Sequence, residues 1–217
     1  MLTLCDINKA YGDKTVLHGV SLHLGRGELA VLSGVSGGGK TTLMRIAAGL
    51  ETPDGGTVTR EGRLAVVFAE ARLFPTVTVL ENVTAVMPAR GATVGRDGAH
   101  RPRRQSARIK EENEQKAMAI LAQLGLADAA TLYPHEISTG MAARVSLARA
   151  MASDADIYLL DEPLKSLDAE WKASVEQTLL SFFKDKAVLM ISHDEAEAEV
   201  LATVRLTLAD GRLTRKQ

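Results

Sequence analysis

Residues 29–42 constrain this chain more than any other stretch. They read Leu29-Ala-Val-Leu-Ser33, then Gly34-Val-Ser-Gly37-Gly38-Gly39-Lys40-Thr41-Thr42, with Leu-Met-Arg-Ile-Ala-Ala following. The apolar run reads as a strand buried on both faces, and the segment after Lys40 is helix-forming. Between them stands G-x-x-x-x-G-K-[ST], a spacing that gains meaning from a strand before it and a helix after it. Glycines let successive backbone N–H groups turn inward around phosphate oxygens, and the helix offers its positive N-terminal end to the same anion. Gly34, Val35, Ser36, Gly37, Gly38, Gly39, Lys40, Thr41 and Thr42 are therefore candidate polyphosphate-binding residues. Lys40 has the reach for terminal phosphates, and the Thr41 hydroxyl can ligate Mg²⁺.

Similar buried runs recur at Leu64–Phe68, Ile157–Leu160 and Ala187–Ile191, with helical patterns between them. Ala117, Ile120, Leu121 and Leu124 share one helical stripe ending at Gly125. Trp171, Val175, Leu179 and Phe182 form another, entered through Asp168 as an N-cap. The first thirty residues instead alternate apolar and polar around Tyr11-Gly12-Asp13 and Gly25-Arg26-Gly27, the mark of antiparallel strands. Thr207–Thr214 reads as a hairpin with an Asp210-Gly211 turn. Buried strands alternating with helices predict an α/β fold around a mostly parallel sheet.

The 217 residues suit one domain, or one domain carrying an inserted subdomain. With 26 basic and 27 acidic side chains the net charge is −1, so no nucleic-acid partner is expected. A single cysteine, Cys5, excludes an intrachain disulfide and fits a reducing cytosol. Neither a membrane-spanning apolar run nor a secretory signal is expected. From Pro88 to Lys110, six arginines and one lysine face a single acid, Asp97, and the stretch reads as a basic loop between helices.

Ile157-Tyr-Leu-Leu160-Asp161-Glu162-Pro163 sets two carboxylates just past a buried strand, at the edge where open α/β sheets gather ligands. Asp161 suits Mg²⁺, and Glu162 can orient an attacking water and take its proton. The strand Val188–Ile191 ends in Ser192-His193, bringing an imidazole to the same edge.

Taken in order, Tyr11-Gly12, Gly34–Thr42, Ile137-Ser138-Thr139-Gly140-Met141, Ala142–Arg149, Asp161-Glu162-Pro163, Ser166-Leu167-Asp168 and His193 resemble the ATP-binding subunits of ABC transporters. Arg72–Val83 and Tyr133-Pro-His-Glu136 look most similar to the importer type serving nitrate, sulfonate or taurine uptake. The resemblance implies a P-loop NTPase with a RecA-like core and an N-terminal antiparallel β subdomain, both built from residues 1–75 and 151–217. A helical subdomain is implied over 76–150. It implies that Tyr11 stacks on adenine, that Lys40, Glu162 and His193 serve hydrolysis, and that Thr41 and Asp161 hold Mg²⁺. Ser138, Gly140 and Asp168 would meet ATP held by a second copy, giving a homodimer with ATP at its interface. Permease subunits and, through them, a solute-binding protein would be the partners, at the cytoplasmic face of the inner membrane. The chain departs from the family pattern in three places. Ala69 stands where a glutamine is usual, Thr139 interrupts the signature, and Ala142-Ala143 replace a basic residue and glutamine. These departures bear on turnover and coupling, and they leave a second reading: an ATP-dependent dimerisation switch with impaired hydrolysis and no transport role.

Overall fold

The computed structural model describes residues 1–87 and 103–216. They form two compact units, one made of Met1–Glu70 and the segment from Ala155 onward, the other of Ala71–Asp154.

In the first unit, β1 (Leu2–Tyr11), β2 (Lys14–Leu24) and β4 (Gly55–Arg60) make a three-stranded antiparallel sheet in the order β2-β1-β4. The second sheet has six strands: β3 (Leu29–Ser33), β5 (Leu64–Val67), β6 (Ile157–Asp161), β7 (Ala187–Ile191), β8 (Val204–Ala209) and β9 (Arg212–Lys216). Their order is β5-β6-β7-β3-β8-β9, parallel except for the terminal β8–β9 hairpin. That hairpin turns through Asp210 at φ 48° and Gly211 at φ 71°, the two left-handed residues a type I′ turn requires. Helices α1 (Lys40–Ala48), α5 (Ala169–Phe182) and α6 (Glu195–Leu201) complete the unit.

Every residue of β6 and β7 is buried, as strands covered on both faces must be. On one side Ile157, Leu159, Leu189 and Ile191 join Leu4, Ile7 and Leu17 of the antiparallel sheet and Leu43 and Ile46 of α1 in a continuous core. On the other, Tyr158 packs against Phe182 and Phe183 with ring centroids 5.6 and 4.9 Å away. Its hydroxyl accepts the Ala155 N–H at 3.0 Å. Each such side chain contributes roughly 2 kcal/mol by leaving water.

The second unit holds α2 (Val79–Thr84), α3 (Arg103–Gln123) and α4 (Thr139–Ala152). Ala117, Leu121 and Leu124 are fully buried, and Gly125 reverses the chain at φ 64°. Buried Asn82 binds the Phe74 N–H at 2.8 Å and donates to the Phe74 and Thr78 carbonyls, which holds the segment before α2 in place. Arg149 secures the same segment by donating to the Arg72 carbonyl at 2.7 Å.

One expectation needs correction. Residues 103–110 belong to α3 and are not loop. The physical reason is the acidic run downstream: Arg108 pairs with Glu112 at 3.1 Å and Lys110 with Glu114 at 3.6 Å, each one helical turn on. The remainder of the basic stretch, 88–102, lies outside the described residues. Among the described residues no helix is long and apolar enough to cross a membrane.

Candidate functional site

Strand order decides which side chains meet. With β6, β7 and β3 adjacent and parallel, their C-terminal ends lie side by side, at about 4.8 Å per strand. The first end carries Asp161 and Glu162, the second leads into Ser192 and His193, and the third leads into the glycine loop and α1.

At the start of that loop Gly34 has φ 143°, and a Cβ there would lie 2.3 Å from the Leu208 carbonyl oxygen of β8. Only glycine fits. At its end Gly39 is the N-cap of α1 and supplies no capping side chain, so the first N–H groups of the helix are available to a ligand. Lys40 is buried, and its ammonium donates to the Gly34 and Val35 carbonyls, both at 2.8 Å. Burial pulls its pKa below the ordinary lysine value, while the carboxylates of Glu162 and Asp161 pull the other way. Thr41 is exposed beside it.

Asp161 closes β6 and is only 9% exposed. Burial raises its pKa and Glu162 adds to the rise, against Arg45, Lys40 and His193. A desolvated carboxylate of this kind gains from a nearby cation. Glu162 holds φ 47°, a left-handed conformation uncommon for any residue with a Cβ, and its N–H is fixed by the Ile191 carbonyl at 3.1 Å. Such strain concentrates at functional positions. One carboxylate oxygen lies 3.0 Å from His193 Nε2, the other 2.6 Å from Lys165 Nζ.

Tyr11, Ser36, Gly37, Gly39, Lys40, Thr41, Thr42, Asp161, Glu162 and His193 line one cleft of about 360 Å³, within the range of small-molecule sites. Tyr11 is half exposed there, its hydroxyl donating to Glu51 and its ring 5.5 Å from the Lys9 ammonium. Gly34, Val35 and Gly38 belong to the same loop. Asp168 lies outside this lining. It is exposed and caps α5, accepting the Trp171 N–H at 3.0 Å. Ser138 and Gly140 lie in the second unit, where Ser138 caps α4 by accepting the Met141 N–H at 3.2 Å. Lys14 and Val16 also line the cleft, and Lys165 holds Glu162. No motif marks those three in the sequence, since their relation to the site exists only in three dimensions.

For a divalent ion the cleft offers the buried carboxylate of Asp161 and, among its hydroxyls, that of Thr41 beside Lys40. Hard oxygen donors in this small number suit Mg²⁺, which takes its other ligands from phosphate and water.

A mostly parallel sheet with a glycine loop between a central strand and a helix, and with acidic residues at the neighbouring strand end, defines a P-loop NTPase. Within that class the chain belongs to the ABC transporter family, which it matches over residues 17–165. It is 38% identical to the aliphatic sulfonates import ATP-binding protein SsuB of Corynebacterium glutamicum over 214 residues, spanning 98% of this chain and 82% of that protein. SsuB 3 of Rhodococcus jostii is 39% identical over 212 residues, covering 97% of this chain and 72% of that one. Among solved structures, the dimeric bacterial ABC transporter cassette MJ0796 superposes with a TM-score of 0.82 at 27% identity, covering 100% of this chain and 98% of that one.

Proposed function

We propose that this chain is the ATP-hydrolysing subunit of an ABC importer for sulfonates or similar small organic anions. The observation that carries the catalytic part is the meeting of the Lys40 loop with Asp161, Glu162 and His193 along one sheet edge. The solute class rests on the names of relatives similar over nearly the whole chain, and those names favour transport over the dimerisation switch.

ATP enters with its triphosphate on the loop 34–42 and its adenine against Tyr11. Lys40 exchanges the Gly34 and Val35 carbonyls for phosphate oxygens, which costs little because its hydrogen bonds are replaced by charge-assisted ones. Thr41 and Asp161 would hold Mg²⁺, which would supply charge neutralisation at the phosphates. Glu162 accepts a hydrogen bond from water and takes its proton as the water oxygen bonds to the γ-phosphorus. The bond from that phosphorus to the β–γ bridging oxygen breaks, releasing ADP and phosphate. His193 donates from Nε2 to Glu162 or to the γ-phosphate, keeping the base and phosphate in register.

Ser138, Gly140 and Asp168 of a second copy complete the site, with N–H groups at the start of α4 meeting the γ-phosphate. Closure and opening of that dimer would drive permease subunits, and through them a solute-binding protein, at the cytoplasmic face of the membrane. Ala69 follows β5 by two positions, is exposed, and has a methyl that can bind neither water nor metal. Coupling in this chain must therefore run without a side-chain amide there.

Steady-state Mg-ATP hydrolysis by the purified chain, with Glu162→Gln as control, tests the reading. Turnover that falls by at least about a hundredfold in the variant supports Glu162 as the base. Equal turnover in both removes it from that role.

A further inference from the structure

His193 sits between two residues that are held from an unexpected direction. Ser192 and Glu197 are both 4% exposed, and the Ser192 hydroxyl donates to one oxygen of Glu197. The same hydroxyl accepts the Asp194 N–H at 3.0 Å. Lys172, on α5, reaches across and pairs with the other Glu197 oxygen at 2.7 Å and with the Asp194 carboxylate. Asp194 in turn caps α6, accepting the Ala196 N–H at 2.9 Å.

We propose that Lys172 is a positioning residue, which holds His193 against Glu162 by bridging α5 to the turn Ser192–Glu197. This rests on the assignment of Glu162 and His193 to hydrolysis made above. His193 itself makes no contact with Lys172 in the chain of bonds just described. Its backbone is gripped on either side, at Ser192 and at Asp194, and its ring is left to meet Glu162 at 3.0 Å.

Electrostatics explains why a cation is needed there. Glu197 and Asp194 converge on one point, and buried Glu176 stands one helical turn beyond Lys172 on α5. Burial raises the pKa of Glu176, and Glu197 and Asp194 add to that rise while Lys172 opposes it. For Lys172 itself burial works against the charge, yet its hydrogen bonds to Asp194 and Glu197 keep its pKa above the ordinary value. Removing the ammonium would leave two carboxylates facing each other, one of them buried, which costs far more than an exposed pair. Their relaxation would pull Glu197 from Ser192 and let the His193 backbone drift. A misplacement of about 1 Å can cost a hundredfold in rate.

The bridge also joins His193 to the helix that Asp168 begins. Lys172 N–H donates to the Asp168 carbonyl at 2.9 Å, so the residue assigned to the second copy's nucleotide and the cation that steadies His193 lie in the same first turn of α5.

The test uses the full chain with Lys172→Met and Lys172→Arg. It reads kcat and KM for Mg-ATP, together with the imidazole NMR resonances of the five histidines, His193 being assigned by His193→Ala. Lys172→Met is expected to lower kcat about ten- to a hundredfold with KM within twofold, and to move the His193 resonance but not those of the other histidines. Lys172→Arg is expected to restore both. Loss of rate with an unmoved His193 resonance overturns the proposal, as does a KM rising in step with the fall in kcat, or a kcat left unchanged. If Lys172→Met does not fold, Glu197→Gln takes its place: it removes the charge Lys172 binds and must move the same resonance and lower kcat. Wild-type turnover insensitive to Glu162→Gln would overturn the functional reading and this inference with it. Sensitivity to Glu162→Gln without a Lys172 effect overturns only the inference.

Discussion

Gly34 and Gly37 both hold left-handed backbone in the phosphate loop, and they separate two kinds of constraint. At Gly37, φ is 74° but an added Cβ would meet nothing within 4 Å, so Gly37→Ala pays only conformational strain, about 1–2 kcal/mol. At Gly34 the added carbon would overlap the Leu208 carbonyl oxygen, a backbone atom of β8 where Leu208 pairs with Leu213 of β9. Gly34→Ala is therefore expected to cost about 2–4 kcal/mol and to weaken nucleotide binding at least about tenfold, because the loop cannot move without disturbing the sheet. Thermal unfolding and titration with a fluorescent ATP analogue would measure both. Equal effects from the two substitutions would show that sterics against β8 do not shape the loop. Glu162 pays similar strain without glycine's freedom, which is consistent with a carboxylate being required there.

At the scale of elements, two helix starts are capped by side chains that are also proposed to meet a second copy. Asp168 begins α5 by accepting the Trp171 N–H, yet its carboxylate is also exposed, where a second molecule could use it. Asparagine keeps the capping oxygen and loses the charge; alanine loses both. Asp168→Ala is expected to lower stability by about 1 kcal/mol, and Asp168→Asn by only a few tenths. If turnover falls in both variants alike, the charge serves the assembled site. If Asp168→Asn keeps full turnover, capping is its whole role. Ser138 presents the same pairing of roles at the start of α4. The opening turns of α3 follow a different rule: there the basic residues gain acidic partners one turn on, and composition alone had suggested a loop.

For the whole molecule, the proposed site is complete only when two copies meet. Ser138 and Thr139 are exposed in one unit, and the phosphate loop belongs to the other. ATP bound to a chain that cannot hydrolyse it should hold two copies together. Glu162→Gln with Mg-ATP is expected to double the solution mass from 23.2 kDa by light scattering, while the same variant with ADP stays single. A variant that binds ATP and remains single at every concentration would remove the second copy from the reading.

The parts legible in the sequence are local in their physics. The glycine loop needs only its neighbouring strand and helix, the carboxylates of Asp161 and Glu162 need only the end of a buried strand, and the Asp210-Gly211 turn needs only its own dihedrals. Lys172 could not be found that way. On α5 it is a lysine between Trp171 and Ala173 that no motif marks, and its partners Asp194 and Glu197 belong to the start of a different helix. Lys165 and Lys14 are silent for the same reason. Residue type and spacing singled out a candidate polyphosphate loop and the groups proposed to act on its ligand. The order β6-β7-β3 decided that those groups share one edge, because parallel pairing brings strand ends together regardless of their distance along the chain.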